Sequence, residues 1–232
     1  MKYGPKIITD GLVLCLDAAD KNSYPGSGST IYDISGNSYT GSFVNSPTFD
    51  SEKGGCLYFD SGVGAGAYIN TNYLHDNYGT LSVWFKGETQ DADTGSILRP
   101  LIMQGTFGTP PEAFGISMIR DGDANSGKIR YDSGLAGNGY LSPSYYNDNK
   151  WHNAVLVRDV VNSYAYINGN LLSSFSSYAT INKTTNIQLG GSSTITARRY
   201  LGKIATWLVY TKVLSSTEVL QNYNALKSRF GL

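Results

Sequence analysis

Short stretches in which apolar and polar positions alternate dominate the chain. Leu12, Leu14 and Leu16 alternate with Val13, Cys15 and Asp17, and Leu57 and Phe59 alternate with Cys56, Tyr58 and Asp60. Leu81, Val83 and Phe85 alternate in the same way with Ser82, Trp84 and Lys86. Successive side chains of an extended strand point to opposite faces, so each stretch predicts a strand with one face toward a core. Further strands are expected over 113–120, 128–132, 151–158, 164–167, 170–175, 186–190 and 203–210. Asn168-Gly169 separates two of them, and both turn positions need positive φ, which predicts a type I′ hairpin.

One helix is expected, over about 215–230. Ser215 and Glu218 have capping-box spacing, and Val219, Tyr223, Leu226 and Phe230 follow on one helical face. That stripe should bury against the chain's own sheets, with Glu218, Gln221, Asn222 and Lys227 facing outward. No internal repeat or charged linker interrupts the pattern. The expectation is a single domain over 1–232, all-β, a two-sheet antiparallel sandwich with one C-terminal helix.

Composition narrows the partners. Lys plus Arg and Asp plus Glu each number 18, so the net charge is zero. A nucleic-acid binder would carry a basic excess, and an anionic membrane would also attract one; neither partner is expected. Charged residues make up only 16%, which suits a protein assembled against neighbours in many copies. Cys15 and Cys56 are too few for a disulfide framework and read as two buried free thiols. No segment has the ~20 apolar residues of a membrane span, and no signal-peptide stretch opens the sequence. The chain is therefore expected to be made and kept in a cytoplasm. The sequon Asn182-Lys183-Thr184 carries no weight in that compartment.

Motifs with catalytic or metal chemistry fall short of their requirements. Gly122 to Lys128 has phosphate-loop spacing, but Ile129 stands where a hydroxyl must hold magnesium. Asp121, Asp123, Asn125 and Asp132 echo a calcium loop, yet the required glycine is displaced to Gly127 and the flanks are strands. Glu88, Asp91 and Asp93 lack the spacing that places acid and nucleophile on one strand face. His75, in a polar loop, and His152, at a strand start, have no metal-ligand partner at i+2 or i+4, so both read as structural. No catalytic residue, metal ligand or cofactor is expected, and no enzyme. The positive signal is tyrosine in loops: Tyr24, Tyr32, Tyr39, Tyr73, Tyr78, Tyr145 and Tyr146. A tyrosine ring offers a flat apolar face to a sugar and a hydroxyl to its edge, which makes Tyr24, Tyr73, Tyr78, Tyr145 and Tyr146 the candidate ligand-binding residues.

Taken in order, several segments carry a family likeness: Asp10 to Ala19, Tyr32 to Asn37, Leu57 to Asp60, Leu81 to Phe85, Trp151 to Asp159, Tyr166 to Gly169, Leu189 to Gly191, Gly202 to Ala205 and Leu214 to Gly231. The chain resembles the concanavalin A-like lectin/glucanase superfamily, and within it the laminin G-like jelly-roll proteins of tailed, notably marine, phages. The resemblance implies a jelly roll. It also implies loop calcium in some members, but no position here maps onto those ligands, so calcium is not supported. It further implies a virion structural protein: capsid decoration, head fibre or tail-associated adhesin, assembled in the host cytoplasm. Its partners would be other capsid or tail proteins and host-surface polysaccharide. The alternatives are a lectin-like module of cellular origin and, behind it, a glycosidase. A start at Met1 and an end just past the helix suit a stand-alone building block.

Overall fold

The computed structural model describes residues 5–60, 66–89, 97–106, 112–120, 122–134, 139–177, 180–194 and 199–232. The strands, in chain order, begin with β1 (Leu12–Asp17), β2 (Thr30–Tyr32), β3 (Thr40–Val44), β4 (Thr48–Asp50), β5 (Cys56–Phe59) and β6 (Tyr68–Thr71). They continue with β7 (Gly79–Gly87), β8 (Leu98–Gln104), β9 (Phe114–Ile119), β10 (Lys128–Ser133) and β11 (Tyr140–Tyr145). The last are β12 (Trp151–Arg158), β13 (Asn162–Ile167), β14 (Asn170–Ser176), β15 (Gln188–Leu189) and β16 (Gly202–Tyr210), followed by helix α1 (Ser216–Phe230). One sheet runs β14-β13-β12-β7-β16-β5-β4, with β1 also on β16; the other runs β11-β10-β9-β8-β15-β6-β3-β2. Every pairing between these strands is antiparallel. The fold is the expected all-β two-sheet jelly-roll sandwich with one C-terminal helix.

The main core lies between the sheets. Leu81, Val83 and Phe85 of β7, with Leu156 of β12 and Trp207 of β16, meet Ile102, Phe114, Ile116 and Tyr131 of the opposite sheet. Hydrogen bonds cross the gap, among them Trp207 Nε1 donating to the Leu101 carbonyl at 3.2 Å and the Tyr131 hydroxyl donating to the Tyr166 carbonyl at 2.8 Å. Each satisfies a polar atom that would be costly to bury alone.

The structure corrects the one-sided reading of the alternating strands. The second face of the first sheet is also buried, because α1 lies on it. Trp84, Trp151, Ala205 and Cys56 pack with Phe230, while Val155, Val157, Leu208 and Tyr210 pack with Leu214 and Val219. The Phe230 ring stacks on Trp84 at 4.1 Å between centroids and meets Trp151 at 4.9 Å. The helix therefore docks on its own sandwich, as expected. Its capping box forms, with the Ser215 amide donating to the Glu218 carboxylate at 2.9 Å and the Glu218 amide to the Ser215 hydroxyl at 3.3 Å. Of the stripe, Val219 and Phe230 are fully buried, whereas Tyr223 and Leu226 are partly so.

Asn222, expected to face outward, is buried instead. The N-terminal segment crosses the helix there. The Ile8 amide donates to the Asn222 side-chain oxygen at 2.7 Å, and the Asn222 amide donates to the Tyr210 hydroxyl at 3.0 Å. At the other end of the helix Glu52 accepts from Trp151 Nε1 at 2.8 Å, Lys203 at 2.8 Å and Lys86 at 3.0 Å. Burial by itself would raise the Glu52 pKa, but these donors hold it at about 2, so the carboxylate pins Trp151 beneath Phe230.

Several strands have no clear period in the sequence, and β8 is one. It is central in its sheet despite Pro100, which sits where the register to β9 shifts, between Pro100 and Ile102. A bulge there tolerates a residue with no backbone donor. The Asn168-Gly169 turn matches its expectation, with φ of 50° and 78°. Cys15 and Cys56 are free and buried, and burial, followed by nearby carboxylates, pushes both thiols up to about 12.

Candidate functional site

Tyr164 and Tyr166 lie two residues apart on β13, so both rings project from the same face of the sheet, the one α1 covers. The helix covers this face only in part. Between its N-terminal turn and the β13–β14 hairpin a groove of about 440 Å³ remains open. Tyr164, Tyr166 and Leu171 line it from the sheet, and Val213, Leu214, Ser215 and Ser216 from the approach to the helix. Asp159 and Glu218 contribute a carboxylate each.

The polar geometry leaves acceptor capacity in the groove. Asp159 uses one oxygen to hold the β12–β13 turn, accepting from the Val161 amide at 2.7 Å and the Asn162 amide at 2.6 Å. Among the described residues its other oxygen receives the Tyr164 hydroxyl alone, at a long 3.4 Å. Glu218 is committed to Lys212 at 2.7 Å and to the Ser215 amide, and those contacts hold its carboxyl below the ordinary value. Tyr164 is partly exposed and Leu171 is 53% exposed, so an apolar face is presented beside free acceptor atoms. A ring of C–H groups edged with hydroxyl donors fits such a surface.

The tyrosines expected to bind ligand are distributed differently. Tyr24 is 4% exposed, packed on Phe43 and Phe49, with its hydroxyl donating to the Gly28 carbonyl at 3.0 Å. Tyr73 is buried against Tyr39 and bonds His75 through its hydroxyl. Tyr146 is buried with its ring against the His152 imidazole at 4.9 Å. For these three the expectation of a presented loop face is corrected, because each long loop folds back and uses its tyrosine as packing. Tyr78 and Tyr145 are exposed, Tyr145 at the end of β11 with the Lys128 ammonium 5.4 Å from its ring centre. Tyr32, also expected in a loop, closes β2. Among the described residues no ring contact joins any of the five candidates to another.

The weaker motifs resolve as structure. Asp123 and Asn125 form the β9–β10 turn, with the Asn125 amide donating to the Asp123 carboxylate at 2.8 Å, while Asp132 lies buried in β10 and accepts from Arg130 at 2.8 Å. Asp121, Asp91 and Asp93 lie outside the described residues. Among the described residues no group of three or more His, Cys, Asp or Glu could hold a metal ion. His75 is fully buried, stacked on Phe114 and tied to Gln104, and burial lowers its pKa to about 4. His152 bonds Asp148 at 3.0 Å and Asn168 at 3.1 Å.

Comparisons with known proteins follow the fold. A family model described as concanavalin A-like lectin/glucanases superfamily matches residues 60–220. No relative was found among curated protein sequences. Among solved structures, the binding domain of Paraclostridial Mosquitocidal Protein 1 superposes with a TM-score of 0.65 at 16% identity, over 94% of this chain and 52% of that one. Domain 4 of AbnA, a GH43 extracellular arabinanase from Geobacillus stearothermophilus, in complex with arabinotriose, gives 0.64 at 15% identity, over 91% and 98%. The Botulinum Neurotoxin Type G receptor binding domain gives 0.61 at 17% identity, over 92% and 51%. The chain thus spans about half the length of the toxin binding domains it matches and nearly all of the arabinanase domain.

Proposed function

We propose that this chain, which belongs to the concanavalin A-like lectin/glucanases superfamily, is a non-enzymatic carbohydrate-binding module whose sugar occupies the groove between α1 and the β13–β14 hairpin. The observation that carries this reading is the partly exposed Tyr164 ring beside an Asp159 oxygen with spare acceptor capacity. The groove also falls within the about 300–1,000 Å³ typical of ligand sites. Support comes from the neighbours, which are binding domains of toxins and an arabinanase domain in complex with arabinotriose. Fold alone does not fix function, so the site must be tested directly. Glycan-array screening followed by titration of the best sugar is expected to show micromolar-to-millimolar binding. Tyr164→Ala should weaken it about tenfold or more, the loss of roughly 1.4 kcal/mol of stacking. Tyr145→Ala should bind as the parent does. Loss of binding in Tyr145→Ala with retention in Tyr164→Ala would move the site to the β11 edge and overturn the groove.

A finer reading is that the module is displayed in many copies on a virus particle assembled in a host cytoplasm. It is supported by the likeness of residues 214–231 to tailed-phage proteins and by the low share of charged residues. Weak single sites gain avidity when displayed together, which suits a repeated surface protein. Mass spectrometry of purified particles should find the chain in many copies; its absence from them removes this placement.

A further inference from the structure

We infer that the groove selects sugars carrying a protonated amine over uronic or sialic acids; this rests on the reading of the groove as a sugar site. The charge arrangement carries the inference. Among the described residues lining the groove, the charged side chains are Asp159 and Glu218, both acidic. The nearby cation, Lys212, is not among them and is committed at 2.7 Å to Glu218 and at 2.7 Å to Asp10.

A helix N-terminus normally draws anions, because its first amides lack partners. Here the capping box meets part of that attraction within the chain. The Glu218 carboxylate sits on the Ser215 amide, and the Ser215 hydroxyl takes the Glu218 amide. A ligand carboxylate entering the groove would face Asp159, and like charges repel. A ligand ammonium meets the opposite situation. The Asp159 oxygen that receives the long Tyr164 contact can accept a charge-assisted hydrogen bond, and the adjoining Tyr164 face attracts cations. The chain's net charge is zero, so this preference is local to the groove rather than a general attraction.

The test compares oligomers of glucosamine, N-acetylglucosamine and galacturonic acid by titration calorimetry in slightly acidic, low-salt buffer. Glucosamine oligomers should bind about tenfold tighter than the acetylated ones, and galacturonic oligomers weakest, as expected for one charge-assisted bond gained or one repulsion incurred. Asp159→Asn keeps an acceptor oxygen for the turn amides and should lower glucosamine affinity by about the same factor. Asp76→Asn removes an exposed acid outside the groove and should leave that affinity unchanged. Equal binding of amino and acetylated oligomers, or tighter binding of the galacturonic ones, overturns the charge inference while Tyr164-dependent sugar binding survives. Amino-sugar binding insensitive to Tyr164→Ala overturns the groove itself, and absence of glucosamine binding overturns the charge inference.

Discussion

Ending the chain after Ser215 should lower the melting temperature of the isolated protein by more than about 10 °C, or abolish cooperative folding. The removed segment covers Trp84, Trp151, Val155, Leu208 and Tyr210, all buried beneath it. Burial of one large apolar side chain contributes about 1.5–3 kcal/mol, and a domain of this size loses roughly 2–4 °C per kcal/mol. Arg229 leaves with the helix. Its guanidinium makes two 2.8 Å contacts to Asp17 and donates to the carbonyls of Lys53 at 2.8 Å and Gly55 at 2.7 Å, so the truncation also strips Asp17 of its cation. Asp17 then remains half-buried without compensation, which adds to the loss. Circular dichroism melting measures the effect, and a red shift of tryptophan emission should accompany it as Trp84 and Trp151 lose their cover. An unchanged melting curve would show that the helix contributes to assembly rather than to the domain.

Gly79→Ala should be comparably severe for a single atom group, at roughly 3 kcal/mol or more. Gly79 opens β7 at φ 138°, a conformation that L side chains rarely adopt. A Cβ built there would overlap the Tyr210 carbonyl oxygen and come within 2.8 Å of the His75 Nε2. Neither neighbour can retreat. The Tyr210 backbone belongs to β16, paired with β7, and the His75 ring is stacked on Phe114 at 5.6 Å. Urea unfolding should show a lower midpoint with an unchanged slope, since the site rather than the extent of burial is altered. A stability loss under about 0.5 kcal/mol would mean that β7 can slide away from β16, contrary to the pairing described.

Much of this architecture is legible from local rules. Trp151–Arg158 forms the strand expected there, the Asn168-Gly169 turn has the two positive φ values its residues favour, and Ser215 caps the helix through Glu218. Each depends on neighbours within a few positions, so the residues themselves carry the information. The groove beside α1 is less accessible. The Tyr164–Tyr166 spacing already places both rings on one strand face, a signal available from periodicity. That this face meets Val213 and Ser215 depends on how α1 crosses the sheet.

The sequence by itself therefore determined the strands with clear period, the hairpin, the helix and the all-β class. Those features follow from backbone sterics, turn chemistry and the two-residue repeat. Tertiary structure decided which of the two apolar faces of β7, β12 and β16 meets the other sheet and which lies under the helix, because both faces carry large apolar residues and period 2 cannot rank them. It also decided that Tyr24, Tyr73 and Tyr146 pack inward while Tyr164 stays partly open. A tyrosine's composition is the same in either place. Its exposure is set by whether a segment distant in sequence supplies a partner for its ring, as Phe49 does for Tyr24 and His152 for Tyr146.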